Sequence, residues 1–274
     1  MSCEKAAELI YWGEGGAQKD EIKAKAYLEK SCDLQYGFGC EKVGDLYRFG
    51  NAHTNKDEKQ AKIYYDKSTE FYKKDCAANY GEACYRLGYL HLYGSEYDAG
   101  NMSVEKDLNQ TVFYYDKSCE LNYALGCRNL GNFYRIGLNV EQNESKVKAY
   151  FDKACEMPDS EICVWIGDKY YFSVEDFEKS RIYYEKACEL NDAWGCSDVG
   201  RLYIEGSGVD KDIKQAEMYF DKACGLDTKG YVCNHIASIY HNEKDDDNAR
   251  AYFKKACDMG HSRACEQYKR LALP

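Results

Sequence analysis

Proline is scarce in this sequence, with two in 274 residues, Pro158 and Pro274. Proline fixes φ and removes a backbone donor, so its rarity argues against polyproline segments and against an all-β chain of short strands and tight turns. No stretch approaches the roughly 18–20 apolar residues that a bilayer-spanning helix needs. Cations are not in surplus either: 37 Lys and Arg face 47 Asp and Glu, for a formal net charge of −10. Binding the phosphate backbone requires clustered Lys and Arg, and here they are scattered among acids, so neither nucleic acid nor anionic membrane is expected as a partner. A secretory signal is not read either, because Met1 is followed by polar and charged residues; a mature form would look the same.

Two residue types are abundant instead, with 27 Tyr and 15 Cys. After Cys3 the cysteines fall into seven pairs: Cys32/Cys40, Cys76/Cys84, Cys119/Cys127, Cys155/Cys163, Cys188/Cys196, Cys224/Cys233 and Cys257/Cys265. Six pairs enclose seven residues and one encloses eight, and the first members recur after 44, 43, 36, 33, 36 and 33 residues. A fixed period in this range is the mark of a repeat fold.

The text around each pair repeats too. Before the first cysteine come KAYFDKAC (148–155), RIYYEKAC (181–188) and EMYFDKAC (217–224), and after the second come CEKVGDLY (40–47), CRNLGNFY (127–134) and CSDVGRLY (196–203). In the second segment the apolar positions, counted from the cysteine, are 0, +3, +6 and +7, one face of an α-helix. Position +4 is Gly44, Gly88, Gly131, Gly167, Gly200 or Ala237. A small residue costs helix stability, which predicts a closely packed neighbour there. Gly50, Gly94, Gly137 and Gly206 stand ten residues after the cysteine and predict helix stops; Ser173 and Glu243 replace that glycine in two repeats.

Each unit therefore reads as helix A, a loop and helix B, with the cysteine pair spanning the turn from helix B to the next helix A. Seven helix pairs are expected, over 3–32, 40–76, 84–119, 127–155, 163–188, 196–224 and 233–257, forming one solenoid domain with a capping helix at 265–273. In the second repeat Thr69 stands where a cysteine is expected, and seven further residues, about two helical turns, return Cys76 to the same face of a longer helix. The third repeat lengthens its A–B loop, 94–109.

Free thiols, zinc and disulfides are all open uses for these cysteines. Zinc needs four ligands per site, whereas each turn offers two cysteines, and the five histidines do not recur with the repeat. Disulfides fit best, since two cysteines flanking a tight helix–helix turn lie on facing helix ends. That density implies an oxidising compartment. Cys3 aligns with the second member of a pair whose first member is missing, which predicts that the native chain starts upstream and leaves Cys3 unpaired.

The whole pattern, most completely GRLYIEGSGVDKDIKQAEMYFDKAC at 200–224, resembles the Sel1-like repeat. The paired cysteines in every unit are similar to those of the Helicobacter cysteine-rich branch of that family. The resemblance implies a right-handed α/α superhelical solenoid related to tetratricopeptide (TPR) folds, in the periplasm or outside the cell. A second cysteine-rich branch, an assembly factor of mitochondrial cytochrome oxidase, implies the intermembrane space instead and brings in haem as a candidate cargo.

The bacterial branch also implies penicillin binding and weak β-lactamase activity. Serine β-lactamases combine Ser-x-x-Lys with Ser-Asp-Asn and Lys-Thr-Gly. Ser-x-x-Lys occurs at Ser2/Lys5, Ser103/Lys106 and Ser145/Lys148, while the other two elements are absent. Catalytic residues, metal and cofactor are accordingly not expected. The sequons headed by Asn101, Asn109 and Asn143 bear only on a eukaryotic secretory pathway.

A monomeric scaffold for protein or extended peptide is the expected function, with the groove lined by helices A. Positions +2 and +5 form a stripe off the core and vary between repeats: Lys42/Asp45, Arg86/Tyr89, Asn129/Asn132, Trp165/Asp168, Asp198/Arg201 and His235/Ser238. Lys42, Arg86, Asn129 and Asn132 offer cationic and amide donors suited to a carboxylate or an extended backbone, similar to the carboxylate clamp of TPR domains. Trp165, Asp168 and Arg201 complete the expected groove, Trp165 either anchoring a ligand or filling space between helices, with packing the favoured role. The paired aromatics of helix B, such as Tyr64/Tyr65 and Tyr219/Phe220, read as core.

Overall fold

A computed structural model describes residues 20–97, 104–157 and 159–271. Cys3 and its expected helix, Ser2/Lys5, Ser103, Asn101, Pro158 and the last three residues lie outside the described residues. The described chain is all-α, a tandem of helix hairpins as the sequence predicts. Helices B are α1 (Glu21–Asp33), α3 (Glu58–Ala77), α5 (Leu108–Glu120), α7 (Glu144–Cys155), α9 (Phe177–Glu189), α11 (Ile213–Leu226) and α13 (Asp246–Asp258). Helices A are α2 (Gly37–Phe49), α4 (Gly81–Tyr97), α6 (Ala124–Ile136), α8 (Ser160–Asp168), α10 (Ala193–Glu205), α12 (Tyr231–Asn242) and the last helix, α14 (Ser262–Arg270). The chain divides into two compact units, Met1–Tyr150 and Phe151–Pro274.

Helix B starts the same way each time. Asp20, Asp57, Asp107, Asn143, Asp176, Asp212 and Asp245 each accept a hydrogen bond from a backbone N–H of the first turn. Such a cap satisfies donors that the helix leaves orphaned. Helix B ends in a short turn whose third residue after the cysteine is left-handed at Gln35, Asn79, Asn122, Asn191 and Gly260. The turn with one extra residue uses Gly230 (φ 76°) instead, and Asp227 caps α12 by accepting from Val232 and Cys233 N–H.

That turn brings the paired cysteines together in all seven cases. The Cα–Cα distances are 4.5 Å for Cys32–Cys40, 4.8 Å for Cys76–Cys84, 4.5 Å for Cys119–Cys127 and 5.1 Å for Cys155–Cys163. They are 4.4 Å for Cys188–Cys196, 4.9 Å for Cys224–Cys233 and 4.6 Å for Cys257–Cys265. The first six bridges are buried in the core, and the terminal one, Cys257–Cys265, is half-buried. Cys76 reaches Cys84 through the 20-residue α3, on whose buried face Thr69 and Cys76 both lie.

The start of helix A corrects the sequence reading. Cys40, Cys84, Cys127, Cys163, Cys196 and Cys265 do not open their helices; each helix begins three residues earlier, and α12 begins two residues before Cys233. The reason is the shortness of the turn. The chain re-enters helical geometry soon after the left-handed residue, so the second cysteine closes the first turn of helix A. Nearly one turn of helix from its start, that cysteine points back at the helix B end it must reach.

Inside each hairpin, small residues and rings interlock. A Cβ built on Gly44, Gly88, Gly167 or Gly200 would lie 2.5–2.7 Å from the ring of Tyr65, Tyr115, Tyr184 or Phe220 respectively. Position +7 of helix A stacks on the first member of the aromatic pair of helix B: Tyr47–Tyr64, His91–Tyr114, Tyr134–Tyr150, Tyr170–Tyr183, Tyr203–Tyr219 and Tyr240–Tyr252, with centroids 5.6–5.8 Å apart. Successive helices B are linked through an aspartate: Tyr150 donates to Asp116, Tyr183 and Lys186 to Asp152, and Tyr252 and Lys255 to Asp221.

Two helix ends differ from expectation. Gly94 does not stop α4, which runs on to Tyr97. Where Ser173 replaces the closing glycine, α8 passes into a π-helical turn, Lys169–Val174, and Glu175 takes the left-handed stop at φ 56°. The extra residue per turn lets the chain reach Asp176, the next cap, without glycine.

Candidate functional site

The variable stripe of helices A is the candidate site. In the first unit, Lys42 Nζ lies 2.9 Å from Asp45 and 3.9 Å from Glu41. Burial works against the ammonium, yet these two carboxylates hold the Lys42 pKa above its usual value. Arg86 reaches Glu41 at 3.4 Å and Glu82 at 3.5 Å. Both cations flank Phe38, the Lys42 ammonium at 5.3 Å and the Arg86 guanidinium at 5.0 Å from the ring centroid. Glu41 also accepts from the Tyr72 hydroxyl at 2.6 Å, so the cluster ties α2, α3 and α4 together.

Asn129 and Asn132 are held differently. Each carboxamide oxygen accepts two N–H groups from one arginine: Arg128 Nε and Nη2 at 3.3 and 3.2 Å, and Arg135 Nε and Nη2 at 3.1 and 2.8 Å. A forked grip on the oxygen fixes which way the amide points and turns its NH2 away from the arginine. Beside this row, α4 carries Tyr85, Tyr89 and Tyr93 four residues apart, with successive ring centroids at 6.5 and 4.7 Å. Phe38, Tyr93, Arg128 and Arg135 fall outside the +2 and +5 pattern that the sequence suggests; extending the stripe to positions −2, +1, +8 and +9 finds them.

In the second unit, Asp168 accepts from the Tyr184 hydroxyl at 2.7 Å, and Arg201 Nη2 meets Asp198 at 2.9 Å and that same hydroxyl at 3.4 Å. The guanidinium also lies 4.3 Å from the centroid of the Tyr171 ring. Asp168 and Arg201 thus stitch α8, α9 and α10. Trp165 carries Lys169 at 5.0 Å over its ring.

Burial raises the Asp198 carboxyl to about 7, Arg201 pulling the other way and Asp168, Asp192 and Glu205 adding to the rise. His235, whose Nδ1 is 3.3 Å from Ser197 Oγ and whose ring lies 5.2 Å from Trp194, is lowered to about 4, by burial first and Arg201 second.

The cysteines take no part in this stripe. Cys40, Cys127, Cys163 and Cys196 lie at position 0 of their helices, fully buried and bonded to the preceding helix B, and Cys265 is bonded to Cys257. Their sulfurs are therefore engaged in bridges and offer neither a thiolate nucleophile nor a metal ligand. Ser145 and Lys148 are both exposed in the first turns of α7. Among the described residues, no group of three or more His, Cys, Asp or Glu could hold a metal ion, and no helix is long and apolar enough to cross a membrane.

The Sel1 repeat model matches residues 1–36, 38–70, 81–123, 124–159 and 195–227, and a tetratricopeptide repeat model matches 160–193 and 231–259. Cytochrome c oxidase assembly factor 7 of Xenopus tropicalis is 26% identical over 143 residues, covering 52% of this chain and 58% of that protein. Factor 7A of Xenopus laevis is 26% identical over 75 residues, covering 27% and 30%. The aligned part is thus under two thirds of either relative's length.

Among solved structures, a Sel1 repeat protein from Oxalobacter formigenes superposes with a TM-score of 0.54 at 20% identity, covering 98% of this chain and 96% of that one. The protective antigen c5321 of uropathogenic Escherichia coli superposes with a TM-score of 0.53 at 20% identity, covering 98% and 59%. These likenesses carry the fold.

Proposed function

This chain belongs to the Sel1 repeat family, and from that membership we propose that it is a disulfide-stabilised scaffold binding a protein or extended peptide through the exposed stripe of its helices A. The observation that carries the reading is a contrast between positions. Caps, ring stacks and small residues recur from hairpin to hairpin, while positions +2 and +5 change chemistry each time. A constant frame with variable outward residues suits recognition of a partner that differs along its length.

Within the stripe, Asn132 is the best placed to hold a main-chain group, because Arg135 orients its amide, while the Asn129 amide faces the Tyr115 hydroxyl. Lys42 and Arg86 would reach a partner only in competition with Asp45, Glu41 and Glu82, and Trp165 with Lys169 over its ring, whereas Asp168 and Arg201 shape the surface from beneath. Seven disulfides call for an oxidising compartment; the periplasm or the cell exterior is our placement.

Capture from periplasmic or host extract tests the reading, comparing wild type, Asn129→Ala/Asn132→Ala and Met218→Ala, an exposed residue of α11. Loss of a captured protein in the first variant alone supports it. Equal capture by all three overturns it.

A second reading rests on the match to the Xenopus assembly factors: a respiratory-oxidase maturation role in the mitochondrial intermembrane space. Recovery of the chain in that compartment after subcellular fractionation supports it, and recovery elsewhere overturns it. The hydrolase reading rests on family resemblance alone and falls if purified protein leaves a chromogenic β-lactam intact.

A further inference from the structure

Helix α6 departs from the acidic character of the chain. The molecule carries −10 overall, yet the charged residues of α6 are Arg128 and Arg135, with no carboxylate in the helix. Arg135 makes its hydrogen bonds through Nε and Nη2 to Asn132, and no carboxylate pairs with it among the described residues. Its guanidinium therefore has N–H groups and a full charge to offer. Arg128, Asn132 and Arg135 stand at spacings of four and three, so they line one ridge of the helix.

Helix α4 packs beside α6 in the same unit. Its parallel ridge is aromatic: Tyr85, Tyr89 and Tyr93, whose rings follow one another along the helix. Each row ends in an exposed apolar residue, Tyr93 being 39% and Ile136 46% exposed. A cationic and amide row beside an aromatic row selects for charge and apolar contact together. Charge complementarity requires acids in the partner, and the tyrosine row requires side chains able to lie on rings.

We infer that the α4–α6 face of the first unit takes an extended partner segment in which carboxylates alternate with aromatic or aliphatic side chains. The carboxylates pair with Arg135, a backbone carbonyl accepts from the amide of Asn132, and the apolar side chains rest on Tyr89, Tyr93 and Ile136. This rests on the reading of helices A as the binding face and names the chemistry that the face selects.

Fluorescence anisotropy with the full chain tests it, using three blocked peptides of equal length: Glu alternating with Phe, Lys alternating with Phe, and Glu alternating with Ser. Blocked termini remove the terminal carboxylate as a source of binding. Glu/Phe should bind at least tenfold tighter than either of the others. Arg135→Gln and Tyr93→Ala should each weaken it at least fivefold, and Met218→Ala should leave it unchanged. A thermal melt of each variant separates lost contact from lost fold, and Arg135→Lys, which keeps the charge, should retain part of the affinity.

Equal binding of Lys/Phe overturns the acidic assignment; the binding face itself stands if Tyr93→Ala still weakens that complex. Equal binding of Glu/Ser, or of a single-stranded oligonucleotide, shows charge alone at work and overturns the proposal. Binding of Glu/Phe that ignores all three α4 and α6 variants overturns both the chemistry and the face. Failure of all three peptides to bind overturns the chemistry and leaves the face to the capture experiment.

Discussion

The glycine at position +4 shows how one hydrogen atom in place of a methyl sets the hairpin. At Gly200 an added Cβ would sit 2.5 Å from the Phe220 ring, and Phe220 is fully buried, so the ring has nowhere to move. Gly200→Ala should destabilise by about 1–3 kcal/mol in urea unfolding, the usual cost of overpacking. Gly225, in the last turn of α11, is the contrasting case: an added Cβ there meets nothing within 4 Å. Gly225→Ala should stabilise by about 0.5–1 kcal/mol, because helix propensity is then the only effect left.

Titration at Asp198 and His235 belongs to the same scale, and the two act in opposite directions. Asp198, raised from 3.8 to about 7, keeps a proton in the folded state that the unfolded chain releases; its contribution is complete below pH 4 and is lost as pH rises toward 7. His235, lowered from 6.5 to about 4, stays neutral when folded while the unfolded chain protonates; its contribution is present above pH 6.5 and is lost as pH falls toward 4. Relative to wild type, His235→Asn should therefore make stability fall more steeply between pH 4.5 and 6.5. Asp198→Asn should make it rise more steeply, each change being at most about 1.4 kcal/mol per pH unit. Urea midpoints at those two pH values read the result.

At the scale of the element, hairpins differ chiefly in how helix A stops. Gly137 and Gly206 close α6 and α10 in the left-handed conformation at φ 74° and 76°. The second unit's first helix A lacks that glycine, widens to a π turn and leaves Glu175 left-handed at φ 56°. Left-handed backbone costs a residue with a side chain about 1 kcal/mol or more. Glu175 is exposed, so Glu175→Gly should stabilise the second unit by about 0.5–1 kcal/mol, measured as a higher melting temperature with an unchanged helical circular dichroism signal. The same turn holds Tyr170 against Tyr183 and Tyr171 against Arg201, which is why the irregularity leaves the stack intact.

For the molecule as a whole, the bridges distribute stability evenly along the repeat. Each closes a loop of eight or nine residues and contributes on the order of 2–3 kcal/mol in the chain-entropy model. Reduction under denaturing conditions should add two protons per bridge, fourteen for the seven, read by intact mass; no gain would mean that the bridges do not form. The reduced chain should then melt well below the oxidised one. The repeat register, the cysteine pairing, the small residue at +4 and the buried aromatics of helix B were all legible in the sequence. The physical reason is that each is a local matter: paired cysteines are eight or nine residues apart, and a helix face is set by spacing within one helix. The caps are equally local, an aspartate standing before six of the helices B and Asn143 before the seventh. The first turn of helix A was harder to place, because the residues before Cys40, Cys127 and Cys196 carry no common cap and share only a glycine. The bonding state of the variable stripe was decided by tertiary structure. Arg86 meets Glu41 across 45 residues and Tyr184 meets Asp168 across 16, so the occupation of Arg86 and Asp168 depends on which helix ends lie beside them. Spacing along the chain reports the face a side chain occupies; only the packed neighbours determine whether its charge is already satisfied, as at Arg201, or still on offer, as at Arg135.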